Sequence, residues 1–160
     1  MNVPDILMTI FLGLAPISEL RGALPYAYFN GFSLPLAIAL AVSANLLVYP
    51  LLSLFLTFFH DFFYSRFDFY SILFDRSVIS TRKKIEHKIA RYGYIGLTLF
   101  VAIPLPITGA YTGTLGSWLF GMNRRKAFFA VSLGVCISAT IVSLILLAGE
   151  GTYSIFIKHI

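Results

Sequence analysis

The stretch PISELRGALP, residues 16–25, sets an acid and a guanidinium between two prolines inside an apolar region. A helix cannot run smoothly through it, because an interior proline loses one backbone hydrogen bond and clashes with the preceding turn. A second stretch, PLPITGAYTG at residues 104–113, interrupts another apolar region in the same manner. Across residues 5–31 and 94–121 the breaks leave arms of about 8 to 12 residues, which as helix cover only about 12 to 18 Å. Two other apolar segments, residues 33–59 and 127–148, carry no charge at all. Each exceeds the roughly 20 residues that cross a bilayer core.

Composition decides what solvent these segments meet. Of 160 residues, 58% are hydrophobic and 12% charged, where a soluble domain carries about 25% charged residues. A polar shell around a single core is out of reach, so the chain reads as an all-α integral membrane protein. The fold expected is two transmembrane helices plus two re-entrant helical hairpins. Residues 1–160 read as one membrane domain: a first unit over 5–59, a connector over 60–92, a second unit over 93–148 and a tail over 149–160. No removable leader is expected at MNVPDILMTI, which lacks a basic start and a small-residue cleavage pattern. The single Cys136 excludes an intrachain disulfide.

Charge placement tests the hairpins. The connector holds Arg66, Arg76, Arg82, Lys83, Lys84, Lys88 and Arg91, and Arg124, Arg125 and Lys126 follow the second hairpin. Only re-entrant hairpins put both groups on one face, as the positive-inside rule prefers. That makes the connector cytoplasmic and places both termini outside, in a multi-pass cell-membrane protein. The excess of basic residues thus speaks of topology and lipid, and no nucleic-acid partner is expected.

The two halves echo each other. Ala41-Val42-Ser43 recurs as Ala130-Val131-Ser132, an offset of 89, and Gly22-Ala23 at one tip matches Gly109-Ala110 at the other. Phe29-x-Gly31 and Phe120-Gly121 close the two hairpins. One span separates the hairpins, so they enter from opposite faces. This is an inverted repeat, a common build of secondary transporters. The small ridges Ala37, Ala41, Asn45 and Ala130, Gly134, Ser138 suit close helix packing in lipid.

A charged side chain at the bilayer centre costs about 2.5 to 3.5 kcal/mol on insertion scales. Irregular backbone is allowed there only inside protein or beside a cavity. Glu19 and Arg21 are therefore expected to line a polar cavity near the midplane. The second arm of a hairpin starts at its tip and points free N–H groups inward, and Arg21 adds a planar fork of donors. With Gly22, Asn45, Thr108, Gly109, Tyr111 and Thr112, these groups form a candidate substrate site favouring an anionic headgroup. Glu19 is the candidate proton-coupling group; burial favours its neutral form and Arg21 its charged form, a balance the sequence leaves open. The competing structural reading has Glu19 and Arg21 simply pinning the turn. Pro16, Pro25, Pro104, Pro106 and Gly113 are read as conformational residues of the tips.

Residues 54–76 read as the first span continuing into an interfacial helix, with Asp61, Ser65, Asp68 and Asp75 on one solvated stripe. Residues 81–93 read as a basic amphipathic helix on the membrane surface. No zinc-protease, nucleophile-elbow, Walker or paired-cysteine motif is present, so neither enzyme activity nor a cofactor or metal is expected.

PxSELRGAxP at 16–25 and FVAIPLPxTGAxTG at 100–113, with Tyr92-Gly93 and Gly96-Leu97 before the second motif, resemble the bacterial and archaeal small multidrug export proteins. The resemblance implies export and a distant relation to the DedA/VTT membrane proteins. That superfamily shares paired re-entrant hairpins, and some members are implicated in moving polyprenyl phosphate or phospholipid. Thr108-Gly109 stands where DedA proteins carry an arginine motif. The function expected is a transporter or lipid translocase for an anionic amphiphile such as a lipid-linked phosphate. The alternatives are a proton-coupled exporter of lipophilic cations and a non-transporting membrane scaffold. Membrane lipids and a second copy of the chain are the expected partners, since two spans enclose little volume.

Overall fold

The structure is a computed structural model describing residues 2–105 and 108–157, apart from the side chains at positions 61, 77, 80, 82–91 and 150–157. Pro106 and the side chains of the expected basic face, among them Lys83, Lys84, Lys88 and Arg91, thus lie outside the described residues. Every regular element among the described residues is an α-helix.

Both interrupted regions fold as broken helix pairs, and the cause is local. Helix α1 (Val3–Leu14) ends because Ala15, ahead of Pro16, turns extended (φ −75°, ψ 131°). Helix α2 (Glu19–Phe29) then starts after a short link. At the second break Ile103, ahead of Pro104, is extended in the same way (φ −78°, ψ 115°). A residue before proline is sterically driven out of the helical region, so one mechanism makes both breaks. Pro25 differs from expectation: it sits inside α2 rather than at the tip.

Helices α3 (Leu34–Leu46) and α4 (Val48–Phe58) are separated by a kink at Leu47. Pro50 lacks the amide that would bond the carbonyl four residues earlier, which places the kink there. Together they form an apolar run from Leu34 to Phe58. Helix α5 (His60–Arg66) is a short elbow, followed by α6 (Asp68–Ala102), α7 (Ala110–Leu119) and α8 (Arg124–Ile157). Gly93 breaks α6 in two (φ 56°, ψ −125°). The runs Leu34–Phe58 and Arg124–Gly149 are long and apolar enough to cross a membrane.

The single polar stripe expected over 54–76 does not form. Phe67 turns extended between α5 and α6 (φ −129°, ψ 106°), and the chain folds back so that Tyr64 Oη donates to Asp75 at 3.2 Å.

The two reversals that follow α2 and α7 are built alike. Phe32 N–H donates to Ala27 O and Gly31 N–H to Tyr28 O; Met122 N–H donates to Ser117 O and Gly121 N–H to Trp118 O. This is the bond pattern of a glycine-ended helix, and Gly31 and Gly121 both take the left-handed conformation it needs (φ 85° and 59°). The pattern recurs at a spacing of 90 residues, one more than the offset read from Ala41-Val42-Ser43.

Small residues let the backbones meet. Ala23, Ala27, Ala37, Ala41, Ala110 and Ala127 are fully buried. Asn45 Nδ2 donates to Gly13 O at 3.0 Å, joining α3 to α1; Thr98 Oγ1 donates to Ala130 O at 3.0 Å, joining α6 to α8. A Cβ on Gly134 would stand 2.7 Å from Val101 Cβ and 2.8 Å from Thr98 O. Gly134→Ala is therefore expected to wedge α8 off α6 at a cost of about 1 to 3 kcal/mol, read as a lowered melting midpoint in detergent. Gly149→Ala meets open space and is expected to leave the midpoint unchanged. Equal behaviour of the two variants would refute this packing account.

Candidate functional site

The two tips meet through Glu19. Its carboxylate Oε1 accepts from Tyr111 N–H at 3.2 Å in the first turn of α7, and the Ala110 N–H also donates to it. A helix start presents unpaired N–H groups that favour negative charge, so Glu19 of one broken pair caps the returning helix of the other. Gly109 makes this possible. It adopts φ 138°, and a Cβ there would overlap the Glu19 carboxylate. Glu19 itself sits at φ 50°, the sole described non-glycine residue with positive φ. Tyr111 adds a second tie, its hydroxyl donating to Leu14 O at the end of α1.

Arg21 does not bond Glu19. Its Nη2 donates to Ile17 O at 2.7 Å, while Nη1 is buried with no hydrogen-bond partner. Thr108 is used within its own tip: its hydroxyl donates toward Ile103 O and Leu105 O, at 2.6 and 2.8 Å. Gly22 leaves room for the Ser18 side chain, since a Cβ there would overlap Ser18 Oγ. Gly113 lies inside α7 against Val101 and Leu97.

Two cavities flank the tips. The smaller, about 10 Å³, is lined by Glu19, Arg21, Asn45, Thr108, Gly109 and Ser138 among others. It has room for about one water. Pro104 also borders it. The larger is a chamber of about 630 Å³, within the range of small-molecule sites. Pro16, Ile17 and Arg21 of the first tip, Phe55 on α4, and Tyr111 and Thr112 on α7 form part of its wall. A further side comes from Tyr70, Leu73, Phe74, Arg76 and Thr81 in the first half of α6. Arg21 borders both cavities.

The structure thus gathers Glu19, Arg21, Asn45, Thr108 and Gly109 around the small cavity, and Arg21, Tyr111 and Thr112 around the chamber. Gly22 and Gly113 stand behind them as packing residues. Sequence reading missed the α6 wall, having assigned residues 54–76 to the membrane surface. It also missed a plain signal: at the spacing of 90, Pro16-Ile17-Ser18 aligns with Pro106-Ile107-Thr108. Glu19 and Gly109, the pair in contact, are then counterparts.

Two helices are long and apolar enough to cross a membrane, and two broken pairs meet tip to tip beside a chamber. The chain belongs to the small multi-drug export protein family, whose sequence profile matches residues 19–141, which makes it a membrane export protein by family. The match begins at Glu19 in the first tip, takes in the second tip and Leu34–Phe58, and ends within Arg124–Gly149. No curated protein and no solved structure matched the chain.

Proposed function

We propose that the protein is a non-enzymatic transporter or lipid translocase that moves an anionic amphiphile, a lipid-linked phosphate being the leading case. The chamber wall carries this reading. It is apolar and aromatic, and its charged members are Arg21 and Arg76; no carboxylate contributes to it among the described residues. Arg21 Nη1 is buried without a hydrogen-bond partner, a donor that a ligand oxygen completes once the tip moves to expose it.

In this reading the broken pairs are re-entrant hairpins related as an inverted repeat, their tips near the midplane. The chain is one membrane domain in the cell membrane, with the basic connector cytoplasmic and both termini outside. Rocking the tips exposes the chamber to alternate sides, and Glu19 couples the motion to protons. A second copy of the chain completes the enclosure.

The family description favours a second reading, proton-coupled export of lipophilic drugs. The aromatic wall suits a drug, but two guanidiniums repel a cation inside an apolar space, where charges interact strongly. Native mass spectrometry in mild detergent separates the readings. Wild type is expected to retain a polyprenyl phosphate or phospholipid, and Arg21→Ala to lose it by about tenfold or more. Retention of a lipophilic cation regardless of Arg21 would support drug export. No selective binding at all would leave a membrane scaffold as the better account.

A further inference from the structure

Arg21 and Arg76 reach the chamber from distant parts of the chain, one at the first tip and the other on α6. The α6 wall is held in place by an aromatic cluster. His60 Nδ1 lies 3.2 Å from Tyr70 Oη, and its ring centroid lies 4.2 Å from that of Phe74 and 5.3 Å from that of Trp118 on α7. Arg76 follows Phe74 by two residues on this anchored stretch of α6; it is exposed and borders the chamber.

The charge count of the chamber is then informative. Arginine stays protonated in proteins, so two positive charges face an apolar space. The neighbouring carboxylates are engaged elsewhere, Glu19 with the Tyr111 amide and Asp75 with the Tyr64 hydroxyl, and a single ligand charge meets one guanidinium at a time. A headgroup with two charges compensates both. Resting on the anionic-amphiphile reading above, we infer that Arg76 is a second anion-binding residue and that the chamber selects doubly charged headgroups, as in a phosphate monoester, over singly charged diesters.

A matched pair tests this: dodecyl phosphate against dodecyl methyl phosphate, which share a tail and differ by one ionisable oxygen. At pH 8 the purified protein in detergent is expected to bind the monoester about tenfold or more tighter. The preference is expected to fade as pH falls below about 6, where the monoester keeps a single charge. Arg21, Arg76, Tyr70 and Tyr111 are the titratable residues on the wall; α4 presents Leu52, Phe55 and Leu56, and the link between α1 and α2 Pro16 and Ile17. Glu19 beside Arg21, Asp75 beside Arg76 and His60 against Tyr70 and Phe74 stand behind the wall, so the preference is read as the monoester-to-diester ratio at each pH, in which titration of the protein is common to both ligands. Arg76→Gln is expected to remove the preference by weakening the monoester about tenfold more than the diester, and Arg76→Lys to restore it.

Equal wild-type affinity for the two esters, or a preference that survives Arg76→Gln, overturns the inference and leaves the anionic reading standing. Binding of neither ester overturns both. Inorganic phosphate is expected to bind far more weakly than dodecyl phosphate; equal binding would mean that the headgroup alone is recognised and would overturn the amphiphile. Should Arg76→Gln fail to fold, the wild-type pH profile and Arg76→Lys still decide the matter.

Discussion

Gly109→Ala is expected to lower the melting midpoint in detergent by about 10 °C and to abolish transport. Two costs combine. The backbone at Gly109 holds φ 138°, a conformation that costs an L-residue about 1 to 3 kcal/mol. The new Cβ would also occupy the space of the Glu19 carboxylate. Glu19 must then leave the amides of Tyr111 and Ala110, and a buried carboxylate without partners costs more than a lost neutral bond. A total of about 3 to 5 kcal/mol is a large share of a typical stability of about 5 to 15 kcal/mol, and for a chain of this size each kcal/mol moves the midpoint by about 2 to 4 °C. The cause can be isolated with a double-mutant cycle. In a Glu19→Ala background the collision is gone, so Gly109→Ala should cost only its backbone strain, a coupling of at least about 1 kcal/mol. Equal costs in both backgrounds would show that the two tips do not meet through this pair.

The breaks at Pro16 and Pro104 were legible in the sequence because proline acts on its immediate neighbour. Ala15 and Ile103 turn extended just ahead of them, although Leu24 ahead of Pro25 stays helical. The two membrane-length helices were legible because apolar length is a sum over the segment. The 90-residue spacing of the two glycine-ended reversals was not. Words such as Ala41-Val42-Ser43 consist of residues interchangeable in a tight helix contact, so they match at several offsets. The hydrogen bonds at Gly31 and Gly121 allow one offset, since each needs a left-handed residue at a defined place. At that offset Glu19 and Gly109 become counterparts, an acid on one side and the space for it on the other. The chamber was illegible for another reason. Its α6 wall depends on the fold-back at Phe67, and no local rule breaks a helix there. The turn is fixed by distant partners such as Trp118 against His60 and Phe74.

Glu19→Gln separates the two roles that one carboxylate can hold. Glutamine keeps a carbonyl oxygen able to accept from Tyr111 N–H, so the tip contact survives with a neutral bond in place of a charge-assisted one. The difference is about 1 kcal/mol, and the melting midpoint should move by only a few degrees. Glutamine cannot take up and release a proton. In proteoliposomes, uptake of a phosphate amphiphile driven by a pH gradient is therefore expected to fall by about a hundredfold, while binding to the detergent-solubilised protein stays close to wild type. Glu19→Ala should lose both the contact and the coupling, with a clear drop in midpoint. If Glu19→Gln supports gradient-driven uptake at the wild-type rate, the carboxylate is a latch between the tips and the coupling ion binds elsewhere. If uptake is lost with an intact midpoint, the residue that closes the tips is also the residue that carries the proton, and tip separation and proton release become a single step.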